Sequence, residues 1–188
     1  DNKQNSYQMS FTDWSILESG DVCIILSCHG QLLHDNAKTL PCEIRLTAYA
    51  GKPWIDISVR LINATDDALE IATYGFSVKD SDTTSTRTCV ASSNYKTDYV
   101  VGENGETVEK EITAKMLINQ GNEHYAEVFY GTFFADYTTS KGGVCGTIYQ
   151  AHQNFPKAVR ATADGIELFL VPQQTDTPVH QRQSYREE

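Results

Sequence analysis

The residue types best suited to recognising a sugar are gathered between Tyr130 and Lys157. The run Tyr130 to Tyr137 is Tyr-Gly-Thr-Phe-Phe-Ala-Asp-Tyr, and the run from Tyr149 continues Gln150-Ala151-His152-Gln153-Asn154-Phe155-Pro156-Lys157. Aromatic rings offer apolar platforms for sugar faces. Amide, imidazole, carboxylate and ammonium groups supply the few orienting hydrogen bonds that pocket recognition needs. Tyr137, Asp136, Gln153 and Asn154 are therefore the candidate substrate-binding residues. The bland alternative is that the aromatics are core and the polar groups close strand ends.

Other chemistries fail on pattern. Cys23, Cys28, His29 and His34 resemble a zinc set, but on an extended strand Cys23 and Cys28 point to opposite faces. Cys23 and His29 share a face, yet lie roughly 20 Å apart at ~3.3 Å per residue. No Cys-x-x-Cys pair supports them, so no metal is expected, and nothing calls for another cofactor. There is no glycine-rich phosphate loop and no Gly-x-Ser-x-Gly nucleophile elbow; Gly142-Gly143 reads as a tight turn. Hydrolysis of a glycosidic bond needs two carboxylates ~5–9.5 Å apart. Asp136 and Glu127 are the candidates, and nothing in the sequence pairs them.

These residues sit on a chain with almost no helical periodicity. Period-two alternation recurs from end to end, with β-branched and aromatic residues enriched. Residues 42–49 place Cys42, Ile44, Leu46 and Ala48 on one face, and Glu43, Arg45, Thr47 and Tyr49 on the other. Residues 54–62 bury Ile55, Ile57, Val59 and Leu61, and turn Trp54, Asp56, Ser58 and Arg60 outward. Ala50-Gly51-Lys52-Pro53 joins the two as a four-residue hairpin loop, because Pro53 has no ladder donor. The register follows: Tyr49 opposite Trp54, Thr47 opposite Asp56, Arg45 opposite Ser58 and Glu43 opposite Arg60. The inner pairs are Ala48–Ile55, Leu46–Ile57, Ile44–Val59 and Cys42–Leu61. A one-residue slip would invert one strand, so the match of both faces supports this register.

Val22, Ile24, Leu26 and Cys28 share a face of another strand. Further strands are predicted near 6–14, 68–78, 88–100, 106–118, 125–138, 143–150, 157–162 and 165–171. Gly102-Glu103-Asn104-Gly105 and Asn119-Gln120-Gly121-Asn122 read as hairpin turns, and Asp164-Gly165 as a two-residue turn. Residues 80–86 read as a loop. So many antiparallel strands must each bury a face. The expected fold is therefore all-β: an antiparallel β-sandwich (supersandwich-like) of long strands with little helix, a closed barrel being the alternative. The sandwich is expected over 1–172, with a polar tail or linker over 173–188.

Composition bounds the partners. The 188 residues carry a formal net charge of −10, which excludes nucleic acid unless a basic face exists. A uronic-acid ligand is compatible with this charge where basic side chains cluster locally. No apolar run reaches the ~18 residues of a membrane span. Five scattered cysteines form no disulfide framework and suggest buried thiols; localisation is open, with a slight lean to the cytoplasm. A start at Asp1 without Met or signal pattern reads as a domain cut from a longer protein.

Three stretches together carry a family resemblance. They are Leu17-Glu18-Ser19-Gly20 through Gly30, then Arg45-Leu46-Thr47-Ala48-Tyr49-Ala50-Gly51-Lys52-Pro53 with the strand to Asn63, then Gln153-Asn154-Phe155-Pro156-Lys157-Ala158 with Gly165-Ile166-Glu167-Leu168 and Pro172. Their order and spacing resemble the central β domain of exo-rhamnogalacturonan lyase-like proteins (polysaccharide lyase family 26 and relatives). The chain departs from that pattern at Ala151-His152, where an aromatic residue usually stands. The resemblance implies a parent with an N-terminal β-barrel, this sandwich and a C-terminal helical toroid. The partners would be a pectin-type polysaccharide or oligosaccharide and the other domains of the same parent. It implies β-elimination, in which a base removes the proton beside a uronate carboxylate while a cation or acid neutralises that carboxylate. In that reading Tyr149 or His152 transfers the proton and Lys157 neutralises the carboxylate. Such sites usually form between domains, so the alternative is a non-catalytic sugar-binding or spacer domain.

Overall fold

A computed structural model describes residues 6–34, 37–63, 71–80, 84–91, 99–112, 133–151, 153–154, 157–172 and 186–187. Every regular element among them is a strand, and all pairings are antiparallel. The strands fall into two compact units, residues 1–70 with 181–188 and residues 71–180.

The first unit is one five-stranded sheet. Its strands are β1 (Gln8–Ser19), β2 (Cys23–His34), β3 (Ala37–Tyr49), β4 (Ile55–Leu61) and β13 (Arg186–Glu187), ordered β1-β2-β3-β4-β13. The β3–β4 ladder runs from Cys42–Leu61 through Glu43–Arg60, Ile44–Val59, Arg45–Ser58, Leu46–Ile57 and Thr47–Asp56 to Ala48–Ile55, as the alternation predicts. It stops one pair short of Tyr49–Trp54, so five residues (50–54) connect the strands instead of four. Gly51, at φ 71°, makes the turn.

One sheet face carries Cys28, Ile44 and Val59, all buried, with Leu26, Leu46 and Ile57 half-buried beside them. Toward the hairpin end this face opens to solvent, and Ile55 is exposed although the pattern predicts burial; on the edge strand β1, Trp14 and Ile16 are exposed too. Val22 is likewise exposed, because it lies in the turn before β2 rather than on the strand. β1 outruns the expected strand 6–14 because irregularities between Phe11 and Asp13 and between Ile16 and Glu18 break its alternation. Opposite Phe11, position 30 admits only glycine: a Cβ there would sit 2.3 Å from the Ser10 carbonyl oxygen.

The second unit is the two-layer sandwich. It contains β5 (Tyr74–Lys79), β6 (Arg87–Ala91), β7 (Tyr99–Glu103), β8 (Val108–Ile112), β9 (Phe134–Thr139), β10 (Gly142–Gly146), β11 (Lys157–Thr162) and β12 (Gly165–Val171). One sheet has the order β10-β9-β6-β7 and the other β5-β12-β11-β8. Val90, Ala135 and Tyr137 from the first meet Val108, Val159, Ala161, Ile166 and Leu170 from the second in one buried cluster. Full burial of an aliphatic side chain in such a layer stabilises by about 1.5–3 kcal/mol.

Gly102 to Gly105 is a turn, with Asn104 at φ 50° and Gly105 at φ 87°, but not a hairpin. β7 pairs with β6 and β8 with β11, so this turn carries the chain from one sheet to the other. The expected strand 88–100 resolves into β6 and β7, which pair with each other. β11 and β12 match 157–162 and 165–171 to the residue. They are joined by Ala163-Asp164, with Gly165 opening β12 opposite Thr162. The expected turn at 119–122 lies outside the described residues.

Candidate ligand-binding face

Among the described residues, the sugar-binding candidates of the second unit are not gathered on one surface. Tyr137 is core, 3% exposed. Lys157 shares the parity of Val159 and Ala161 on β11 and is fully buried; its ammonium donates to the Asn154 carbonyl oxygen. It serves the interior rather than being displayed to a ligand. Asp136 lies on the opposite side of β9 from Tyr137, between Cys145 and Cys89 in register, and accepts a hydrogen bond from Thr138 Oγ1 at 3.1 Å. Tyr149 is 63% exposed. Gln153 is half-buried and Asn154 exposed, and both donate backbone N–H groups to Gln150 O, at 3.1 and 3.0 Å. His152 and Glu127 lie outside the described residues. Gly142-Gly143 opens β10 directly after the Ser140-Lys141 turn.

The thiols differ in burial. Cys28 and Cys42 are buried, and burial pushes both above the ordinary thiol range. Cys89 is buried too, Cys23 is half-buried and Cys145 exposed. Among the described residues no group of three His, Cys, Asp or Glu side chains could hold a metal ion.

A different constellation stands on the polar face of the five-stranded sheet. Pairing aligns Asp13, His29, Glu43 and Arg60 in one row across β1 to β4, and Ser15, Ser27, Arg45 and Ser58 in the next. Glu43 is only 4% exposed. Its Oε1 accepts from Arg45 Nε at 2.7 Å and from Ser27 Oγ at 3.1 Å, and its Oε2 pairs with Arg60 Nη1 at 3.2 Å. Burial alone would raise this carboxyl. The hydrogen bonds from Arg45 and Ser27 and the charges of Arg45 and Arg60 outweigh it and hold the group below its ordinary value.

The two arginine side chains are 40% and 38% exposed. Among the described residues neither forms an ion pair beyond Glu43, which engages Nε of Arg45 and Nη1 of Arg60 out of the five N–H donors on each fork. The cluster carries two positive charges and one negative in a chain of net charge −10. Along the same face of β3, Tyr49 is exposed past Thr47, and in the following loop Trp54 is exposed with Lys52 Nζ 5.2 Å from its ring centroid.

The second unit carries a cluster of the opposite sign. Glu109, Arg160 and Glu167 align across β8, β11 and β12. Arg160 Nε donates to Glu109 at 2.5 Å and Nη1 to Glu167 at 2.9 Å, while its guanidinium carbon lies 5.1 Å from the Phe169 ring centroid. Lys79 adds longer pairs to Asp164 and Glu167. Here two carboxylates occupy one arginine. Comparison with protein-family models, curated proteins and solved structures returns no match. The assignment of a site therefore rests on this geometry. Sequence pattern pairs Glu43 with Arg60 but reads the pair as exposed. The sharing of one carboxylate by two arginines lies within the β3–β4 ladder. The hydrogen bond that fixes the buried carboxylate from beneath comes from Ser27 on β2, which the β3–β4 alternation does not reach.

Proposed function

We propose that this chain is a non-catalytic carbohydrate-recognition part of a protein that processes pectin-type polysaccharide, with the polar face of β1–β4 as its contact surface. The observation that carries the reading is the half-exposed Arg45–Arg60 pair anchored on buried Glu43. Around it the face presents the hydroxyl residues Ser15, Ser58 and Thr47 and the carboxylates Asp13 and Asp56, with exposed Tyr49 beyond. A strand face lets an extended sugar chain lie across several rows. Hydroxyl and guanidinium donors orient such a chain, and an aromatic ring receives a sugar face. The buried ammonium of Lys157 favours recognition over catalysis within this chain. In this reading the β-elimination implied by the lyase resemblance belongs to the parent protein.

Affinity electrophoresis tests the proposal. Rhamnogalacturonan and polygalacturonate should retard the chain, and a neutral glucan should not, while no unsaturated product absorbs during incubation. Equal mobility in all three gels overturns the reading. Release of unsaturated product returns catalysis to this chain.

A further inference from the structure

We propose that Arg45 and Arg60 form a preorganised subsite for one oxyanion of the ligand, a carboxylate or a sulfate, with Glu43 as the positioning residue. The inference rests on the carbohydrate reading only for the source of that oxyanion. Arg45 is opposite Ser58 and Arg60 is opposite Glu43, so the two arginines are diagonal neighbours on adjacent strands. Side chains so placed have Cα atoms about 7–8 Å apart, within reach of long residues. That both forks touch the one Glu43 carboxylate shows that they converge.

Convergence matters because a free arginine must be ordered before it can grip an anion, and that ordering weakens binding. Here Glu43, fixed by Ser27 below the surface, orders both forks in advance. It neutralises only one of their charges. The uncommitted N–H groups lie in the planar array that matches two oxygens of a carboxylate or sulfate. The Arg160 cluster lacks this property, because Glu109 and Glu167 already occupy its fork.

The test is side-chain NMR of the whole chain, following the Arg Nε–Hε signals. Galacturonate and inorganic sulfate should each shift the Arg45 and Arg60 signals saturably, and galacturonate methyl ester should not. The R45K and R60K variants keep a cation beside Glu43 but lose the fork, and each should bind galacturonate several-fold more weakly. No shift with either anion overturns the subsite. Equal shifts with the methyl ester also overturn it, because the contact is then with the sugar ring, and the carbohydrate reading survives. Saturable shifts with both anions, but no gel retardation by any polysaccharide, leave the subsite standing and remove the carbohydrate reading. Response to galacturonate without sulfate assigns the oxyanion to a uronate, and the reverse assigns it to a sulfate ester.

Discussion

Glu43 on the five-stranded sheet and Arg160 on the sandwich are built from the same residue types with opposite stoichiometry. In the first cluster one buried carboxylate serves two arginines, and the cations are left at the surface. In the second, one arginine serves Glu109 and Glu167, and the excess charge is negative. A cluster with an anchored cationic excess can accept an anion, whereas one whose cation is already enclosed by carboxylates is complete. The difference also separates stability from function. The sandwich is held by its apolar interior, so its surface ion pairs contribute little. The sheet, by contrast, has placed a charge below its own polar surface and depends on that charge being met.

The contrast breaks most sharply in a pair of double variants. R45A with R60A leaves the Glu43 carboxylate buried and unpaired, at a cost of about 3–5 kcal/mol in denaturant titration. E109Q with E167Q should cost no more than about 1 kcal/mol, since Glu109 is half-exposed and Arg160 and Glu167 are in part open to water. Next in size, Ile166→Ala in the sandwich core should destabilise by about 2–5 kcal/mol. Ile16→Ala on the exposed part of the apolar sheet face should stay within about 0.5 kcal/mol.

Acid gives a smaller effect with a definite sign. The Glu43 carboxyl titrates below its ordinary value in the folded state, so the unfolded chain binds its proton first. Its stabilisation is complete above the ordinary carboxylate range and is lost as pH falls through the lowered value. Denaturant midpoints measured across that acid range should therefore slope less in Glu43→Gln than in the unsubstituted chain. Asp164 is also held low, first by the Thr162 hydrogen bond and then by Lys79. It is half-exposed and screened, so Asp164→Asn should change the slope less.

Much of the fold is written in local pattern. The β3–β4 register is legible because both faces have to match chemically, and β11–β12 because Asp164-Gly165 punctuates two apolar runs. The division into three sheets is not legible in this way. Pairings such as β6 with β9 or β5 with β12 join strands far apart in sequence, and nothing local records the partner. Bulges hide the second half of β1, and a turn that changes sheets looks like a hairpin until both partners are known. Among the candidate site residues, the inward turn of Lys157 is present in the sequence, since it alternates in phase with Val159 and Ala161. The chemical attraction of the Tyr149–Lys157 run outweighs that signal. The Arg45–Arg60 pair lies within the legible β3–β4 ladder, but the Ser27 hydrogen bond that fixes Glu43 beneath it needs β2 in register as well.

Calorimetric titration with polygalacturonate, comparing the unsubstituted chain, the R45K/R60K double variant and Arg160→Gln, tests the central claim most directly. Affinity should fall by roughly tenfold or more in the double variant and stay unchanged in Arg160→Gln. Equal affinity in all three proteins, or a loss confined to Arg160→Gln, would contradict the assignment of the anion-binding face to the five-stranded sheet.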